Sequence, residues 1–123
     1  MSKKIDVKAL AAKIAASLDK HKAMDIEVVD VHDQTSLADY FVIASGGSNT
    51  QAKSLCDYVE KEIKDEDGIM SARVEGYSTG TWILVDYGSV ILHIFTLESR
   101  KFYDLERLWL DSPHVDVKAD FEK

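Results

Sequence analysis

Two stretches of this sequence combine residue types that could recognise or process another molecule. The first is Gly46-Gly47-Ser48, between a predicted strand and a predicted helix. A helix N-terminus preceded by glycines can hold an anion. The spacing fits neither GxGxxG nor GxxxxGK[ST], so a structural turn is the favoured interpretation. The second stretch, from Arg73 to Asp111, contains a predicted hairpin with aromatic and charged side chains, and it is more informative.

Nucleotidyl transfer at the glycine turn would need carboxylates to hold a metal ion. Some nucleotidyltransferases place a pair of alternating carboxylates on the strand that follows such a turn and its helix. The corresponding stretch here, IMSARVE, has no such pair, and Asp30 and Asp86 are isolated on other strands. Phosphoryl chemistry depends on a positioned metal. The sequence therefore predicts a fold that could be related and an activity that is absent.

Other catalytic arrangements find little support. The four histidines are scattered, and neither Gly-x-Ser-x-Gly nor a metal-ligand cluster is present in the sequence. Cys56 lies on the apolar stripe of a predicted helix, which predicts a buried, inert thiol. A dyad of His93 and Asp86 is conceivable, but the two lie apart and have no evident nucleophile. We expect no enzyme activity, no cofactor and no metal.

The hairpin has two chemically different faces. Gly88 can adopt the positive φ of a tight turn, and pairing Asp86 with Ser89 would pair Leu84 with Ile91 and Trp82 with His93. Side chains alternate along a strand. One face is aliphatic, with Ile83, Val85, Val90, Leu92 and Ile94. The other, here called the mixed face, carries Trp82, Leu84, Asp86, Ile91, His93 and Phe95.

Two interpretations of the mixed face stay open. Trp and Tyr dominate binding energy at protein interfaces, so the face suits a protein partner. Alternatively, Trp82 and His93 are a cross-strand pair covered by the C-terminal segment. The segment after the hairpin carries Glu98, Asp104 and Glu106, which either form an ordinary solvated helix face or add an acidic rim that attracts a basic partner.

The elements that position these residues follow from hydrophobic periodicity and turn residues. Helices are predicted over residues 5–21 and from about 48 to 67, with Gly68 as a C-cap, and in the tail, where Phe102, Leu105, Leu108 and Trp109 have helical spacing. Strands are predicted over 25–32, 39–45 and about 69–75, followed by the hairpin strands. The order α-β-β-α-β-β-β-α predicts one α/β (α+β) domain, residues 1–113, with a mixed sheet of about five strands flanked by helices. Residues 114–123 are predicted to be a polar C-terminal tail.

Composition limits the possible partners. The chain has 123 residues, 46% of them hydrophobic, and a net charge of −7. An acidic domain is not built to bind phosphate backbones, but it suits a basic protein surface. The single cysteine excludes an internal disulfide and fits a reducing cytosol. No stretch is long and apolar enough to predict a membrane span, and no signal or transit peptide is predicted.

Several stretches together resemble the Iojap-type ribosomal silencing factors. They are ADYFVIASGGSNTQ, RVEG, TWILVDYGSVILHIF and ESRKFYDLERLW, and the likeness covers about residues 5–113. The resemblance implies a nucleotidyltransferase-like fold without known transferase activity. It also implies a cytoplasmic protein that binds the large ribosomal subunit through its fourteenth protein, blocks joining of the small subunit and represses translation when nutrients are scarce. Members are commonly homodimers when free.

Carried onto this sequence, the resemblance makes the mixed face and the tail the partner-binding residues. Trp82 and Leu84 would be apolar anchors beside His93. Asp86, Glu98 and Glu106 would face basic residues of the partner, and Tyr103 and Trp109 would join that surface or support it from behind. Direct nucleic-acid binding is not expected as the main contact. The alternatives are a large-subunit assembly factor and, with less support, a nucleotide-binding enzyme that uses the glycine turn.

Overall fold

The computed structural model describes residues 6–108, Pro113 and Val115. It has nine helices and strands within those residues, in the predicted order except for one added break in the tail. They are α1 (Val7–Lys20), β1 (Met24–Asp30), β2 (Tyr40–Gly46), α2 (Asn49–Asp67), β3 (Arg73–Glu75), β4 (Trp82–Asp86), β5 (Val90–Thr96), α3 (Leu97–Tyr103) and α4 (Leu105–Leu108). The predicted single domain with a mixed sheet of five strands and flanking helices is confirmed.

The five strands form one sheet in the order β1-β2-β5-β4-β3. The central pair, β2 and β5, is parallel, and the other neighbouring strands are antiparallel. β2 is apolar on both sides in the sequence, and it lies between β1 and β5 with both faces covered, as predicted. β5 is buried along its whole length for the same reason, so the hairpin begins at β4, next to the edge strand β3, and ends at β5 in the sheet centre.

One face of the sheet packs against α1 and α2. Leu10, Ile14 and Leu18 of α1 are buried because they recur along one side of the helix. The aliphatic hairpin face completes this first core, with Ile83, Val85, Val90, Leu92 and Ile94 all fully buried. α2 begins at the Ser48 side chain, which accepts from the Gln51 N–H, and ends at Gly68 in the left-handed conformation, as predicted.

The other face of the sheet carries a smaller second core. It contains Ile91 and Phe95 from the mixed face, together with residues of β1, β2 and the loop between them and Leu105 of α4. Trp82 and Leu84 pack at its margin and are only partly buried. The mixed face is therefore part core and part surface, which combines the two interpretations left open by the sequence.

The predicted hairpin register is wrong by two residues. Trp82 lies opposite Phe95, Leu84 opposite His93 and Asp86 opposite Ile91. The Tyr87 N–H donates to the Val90 carbonyl, so the turn residues are Gly88 and Ser89, one position later than the Tyr87 and Gly88 that the sequence interpretation placed there. A two-residue shift keeps every side chain on its own face, because side chains alternate with period two. The division into an aliphatic and a mixed face is therefore unchanged.

The helical tail is broken at Asp104. This residue has φ 46° and ends α3 as its C-cap, and α4 begins at the next residue. The break turns Leu105 into the second core while Phe102 stays 80% exposed, so their predicted common stripe does not exist. Trp109, the last residue of that stripe, lies outside the described residues. The domain boundary predicted at residue 113 stays a prediction, although Val115 contacts β1.

Candidate interaction surface

Trp82 forms the centre of an aromatic group at the first residue of β4. Its ring centroid lies 4.9 Å from that of Phe95 and 4.6 Å from that of Tyr103, which reaches it from α3. The backbone at Gly76 passes so close that a Cβ there would lie 2.1 Å from the Trp82 carbonyl oxygen. Gly76 has φ +77°, so glycine is required twice at this position. The neighbouring rings thus hold the indole, the close approach of Gly76 fixes the Trp82 backbone, and Trp82 stays only partly buried.

His93 fixes the orientation of the Trp82 indole. The Trp82 Nε1–H donates to His93 Nδ1 over 3.1 Å. His93 is only 5% exposed and lies against Phe41 and Phe95, and this burial lowers its pKa to about 4. The imidazole is therefore neutral at physiological pH, with its proton on Nε2, which has no hydrogen-bond partner among the described residues. His93 acts as an internal support, and it does not reach the surface.

Leu84 and Asp86 extend the surface toward the sheet edge. Leu84 is half-buried and lies opposite the exposed Glu75 of β3. Asp86 accepts from the Gly88 N–H at 2.7 Å and lies 3.3 Å from Nε of Arg73. Both carboxylate oxygens are thus engaged within the hairpin and β3. The conceivable dyad with His93 is not formed, because Asp86 lies opposite Ile91 and bonds elsewhere.

α3 lies across the end of the sheet and places Tyr103 beside Trp82. Thr96 begins the helix by accepting from the Ser99 N–H. Arg100 then ties it to the sheet, donating to Ser45 Oγ at 2.8 Å and to the Asp25 carbonyl oxygen at 2.7 Å. Tyr103 is 49% exposed, so it joins the surface as well as supporting Trp82. Arg100 and the break at Asp104 together set where the aromatic surface ends.

The same helix exposes one side chain that was expected at the surface and one that was not. Glu98 is exposed in its first turn, as expected for an acidic rim. Phe102 is 80% exposed and packs edge-on against Tyr103. Its helical spacing predicted a core residue. The break at Asp104, which the sequence does not mark, separates Phe102 from the buried Leu105. A cleft of about 550 Å³ runs between this helix and the start of α2, lined on one side by Phe102 and Tyr103.

The predicted partner-binding residues therefore fall into three groups. Trp82, Leu84, Tyr103 and Glu98 lie at the surface of the sheet end and α3. His93 and Asp86 are held inside the hairpin by Trp82 and by Arg73, respectively. The Glu106 side chain and Trp109 lie outside what the structure describes. The surface group, extended by Phe102, is here called the aromatic surface.

The glycine turn is engaged in holding the start of α2. The Gly47 N–H donates to Gln51 Oε1 at 2.5 Å, and Ser48 caps the helix. A Cβ on Gly46 would lie 3.0 Å from the Ala52 nitrogen, so close packing explains this glycine. Helix capping and close packing thus account for Gly46, Gly47 and Ser48, as expected for a structural turn.

Burial limits the reactivity of Cys56, and the spacing of potential ligands limits metal binding. Cys56 is fully buried, and burial, with a smaller effect of Glu60, raises its pKa to about 12. No group of three potential metal ligands occurs within residues 6–108, Pro113 and Val115. Among the helices that the structure describes, none combines the length and the apolar character needed to cross a bilayer.

Comparisons with known proteins identify relatives across nearly the whole chain. The family model described as "Ribosomal silencing factor during starvation" matches residues 4–123. A relative from Bacillus subtilis, named ribosomal silencing factor RsfS, is 38% identical over 103 residues, which is 84% of this chain and 86% of the relative. A mouse relative, named mitochondrial assembly of ribosomal large subunit protein 1, is 33% identical over 78% of this chain and 43% of its own length.

Solved structures of similar proteins share the fold. A crystal structure of a Chromobacterium violaceum protein matches with a TM-score of 0.82 and 32% identity, over 85% of this chain and 87% of that one. A Bacillus halodurans crystal structure matches with a TM-score of 0.73 and 31% identity, over 90% and 99% of the two chains. The likeness to nucleotidyltransferases implied by the sequence stays a prediction.

Proposed function

The chain belongs to the family of ribosomal silencing factors, and on that premise we propose that it represses translation by occlusion. It binds the large ribosomal subunit through that subunit's fourteenth protein and covers the surface that the small subunit needs for joining. The relatives' names describe a regulatory role, which favours a binding protein over an enzyme. Occlusion needs no turnover, and it requires only an interface that persists.

The aromatic surface is the observation that carries this proposal. Trp82 and Tyr103 are large, rigid side chains that are held in place by internal contacts and yet remain partly exposed. Anchors of this kind contribute most of the binding energy at protein interfaces. The net charge of −7 favours a basic protein partner over nucleic acid.

Within that interface the residues take different roles. Trp82 and Leu84 are the central apolar anchors, with Tyr103 beside them. Glu98 is exposed and can face a lysine or arginine of the partner, as Glu106 is proposed to do. Asp86 contributes through Arg73, which it holds against the sheet edge, because its own oxygens are already bonded.

A matched pair of tyrosine variants tests the location of the interface. Tyr103 and Tyr58 are 49% and 46% exposed, and each contacts a partly buried ring, but Tyr58 lies on α2, which packs on the opposite face of the sheet. Purified large and small subunits are mixed with protein and run on sucrose gradients. We expect Tyr103→Ala to lose most co-migration with large subunits and to allow joining, and Tyr58→Ala to behave as wild type. Equal binding by both variants would place the interface elsewhere.

Large-subunit assembly is the second candidate function, because the mouse relative is named for it. Depletion that accumulates precursor particles before any change in subunit joining would favour assembly over silencing. A cytoplasmic location and a homodimer in the free state belong to the proposal and are tested by fractionation and by sedimentation equilibrium.

A further inference from the structure

The outer edge of β1 is covered by residues from the far end of the chain. β1 is the first strand of the sheet, with β2 on its inner side. On its outer side the Asp30 N–H donates to the Pro113 carbonyl oxygen at 2.9 Å, and the Val115 N–H donates to the Val28 carbonyl oxygen at 2.8 Å. This pattern is that of antiparallel strands, with Val28 opposite Val115 and Asp30 opposite Pro113. We call Pro113 and Val115 the edge segment.

The side chains of the edge segment agree with this pairing. Val115 is half-buried and packs against the first core, on the same face as its partner Val28, which is 3% exposed. Pro113 has no N–H and contributes only its carbonyl, as is usual where proline occurs at the edge of a sheet. Backbone bonding and side-chain burial thus both hold the edge segment on β1.

The two edges of the sheet differ in a way that explains why one is covered. Uncovered edge strands recruit other strands, and proteins prevent this by short strands, charges or a covering segment. The β3 edge has only three residues, and its Arg73 and Glu75 are exposed. The β1 edge has seven residues and includes the buried Val28 and Val29. The acidic residues of β1 give it some protection, but its length and its buried valines make a covering segment the further protection that we infer.

We propose that the edge segment is a guard that prevents the β1 edge from pairing with β1 of a second copy of this chain. Identical edges can pair antiparallel about a twofold axis, and each copy offers the same outward backbone groups at Val28 and Asp30. The guard occupies those groups within each folded copy. This role is independent of ribosome binding, because the central anchors Trp82 and Leu84 lie on β4, three strands away from β1 in the sheet order.

Amide exchange tests whether the guard covers the edge. In a chain that ends at Ser112, the Asp30 amide loses its acceptor on Pro113. The Val31 amide is the matched control, since it donates to the Asp39 carbonyl on the inner side at 2.9 Å. At protein concentrations too low for self-association, where no second β1 can replace the lost acceptor, we expect Asp30 to exchange at least about tenfold faster and Val31 to keep its rate. Unchanged exchange at Asp30 would overturn the proposal.

Sedimentation tests what the guard prevents. The shortened chain is expected to gain weight-average mass with concentration, relative to the full chain under the same conditions. The association should strengthen with salt, because Glu27 and Asp30 of two facing copies repel each other. Exposure of the Asp30 amide with no gain in mass at any concentration or salt level would refute the guarding role.

Two full-length variants remove the dependence on shortening the chain. Val115→Pro deletes the N–H that bonds to Val28, whereas Val115→Ala keeps it and only trims the side chain. We expect Val115→Pro to reproduce the faster Asp30 exchange and the self-association, and Val115→Ala to show much smaller changes. Identical behaviour of the two variants would show that the backbone bond does not hold the guard.

Discussion

The hydrogen bond between Trp82 and His93 gives a quantitative test of how the aromatic surface is supported. Trp82→Phe keeps an aromatic ring between Phe95 and Tyr103 but deletes the Nε1–H that donates to His93 over 3.1 Å. The buried Nδ1 then has no donor, and an unsatisfied buried polar atom costs about 1–3 kcal/mol. We expect the free energy of unfolding to fall by about 1.5 kcal/mol.

Trp82→Ala removes the ring as well. Replacing a fully buried Trp by Ala costs about 3–5 kcal/mol, and Trp82 is only partly buried, so we expect a loss of about 3 kcal/mol. A domain of this size is typically stable by about 5–15 kcal/mol, so both variants should remain folded at 25 °C. Binding to large subunits should weaken by about 2 kcal/mol, or about 30-fold, for Trp82→Ala and only a few-fold for Trp82→Phe.

Urea unfolding followed by far-ultraviolet circular dichroism gives the stabilities, because this signal does not depend on the altered indole. Phe102→Ala is the stability control, since its 80% exposed side chain should change the free energy of unfolding by less than about 0.5 kcal/mol. If Trp82→Phe unfolds as wild type does, His93 does not support the indole. If Trp82→Ala binds large subunits with unchanged affinity, the aromatic surface is not the interface.

Three further predictions concern the scaffold. Gly76→Ala should lower the free energy of unfolding, measured in urea, by more than about 3 kcal/mol, because its Cβ would lie 2.1 Å from the Trp82 carbonyl oxygen. Gly88→Ala has open space around its Cβ and should lower the free energy by about 1 kcal/mol, for its positive φ alone. Equal losses in the two variants would contradict the close approach at Gly76. The Cys56 thiol, with a pKa of about 12, should not react with a thiol reagent at pH 8 until the protein is unfolded, and rapid reaction of the native protein would contradict its burial. Burial alone would raise the pKa of Glu62, but hydrogen bonds, the largest from His21, outweigh burial and hold that pKa at about 2. The stability of the wild type should therefore fall more steeply than that of Glu62→Gln as the pH decreases from 4.5 to 2. Parallel profiles of stability against pH for the two proteins would contradict this.

The sequence predicted the faces of the hairpin but not its register. Face assignment depends only on alternation, which Ile83 and Val85 on one side and Trp82 and Leu84 on the other make clear. Register depends on which residues form the turn, and Gly88 can take a positive φ at either position of a two-residue turn. The observed turn is stabilised by the Asp86 side chain, which accepts from the Gly88 N–H, and such a local bond is not encoded in periodicity.

The predicted tail helix failed at one residue for a similar reason. Periodicity joined Phe102 and Leu105 on one stripe, and nothing in the pattern marked Asp104 as a break. Asp is among the residues that tolerate the left-handed conformation, but most Asp residues do not adopt it. Burial of Leu105 in the second core stabilises the break, and that contact exists only once the sheet has formed. Tertiary packing thus decided a boundary that local sequence left open.

The burial of β5 determines where a partner can make contact. Because β5 is buried along its whole length, His93 and Phe95 cannot be reached from outside without disrupting the fold. A partner can contact the mixed face only at β4, where Trp82 and Leu84 emerge, and along α3. Those same side chains close the second core, so they are pre-positioned before any partner arrives. Such pre-organisation lowers the entropy lost on binding. A factor that acts by occlusion therefore needs few exposed anchors, provided that the core holds each of them rigidly in place.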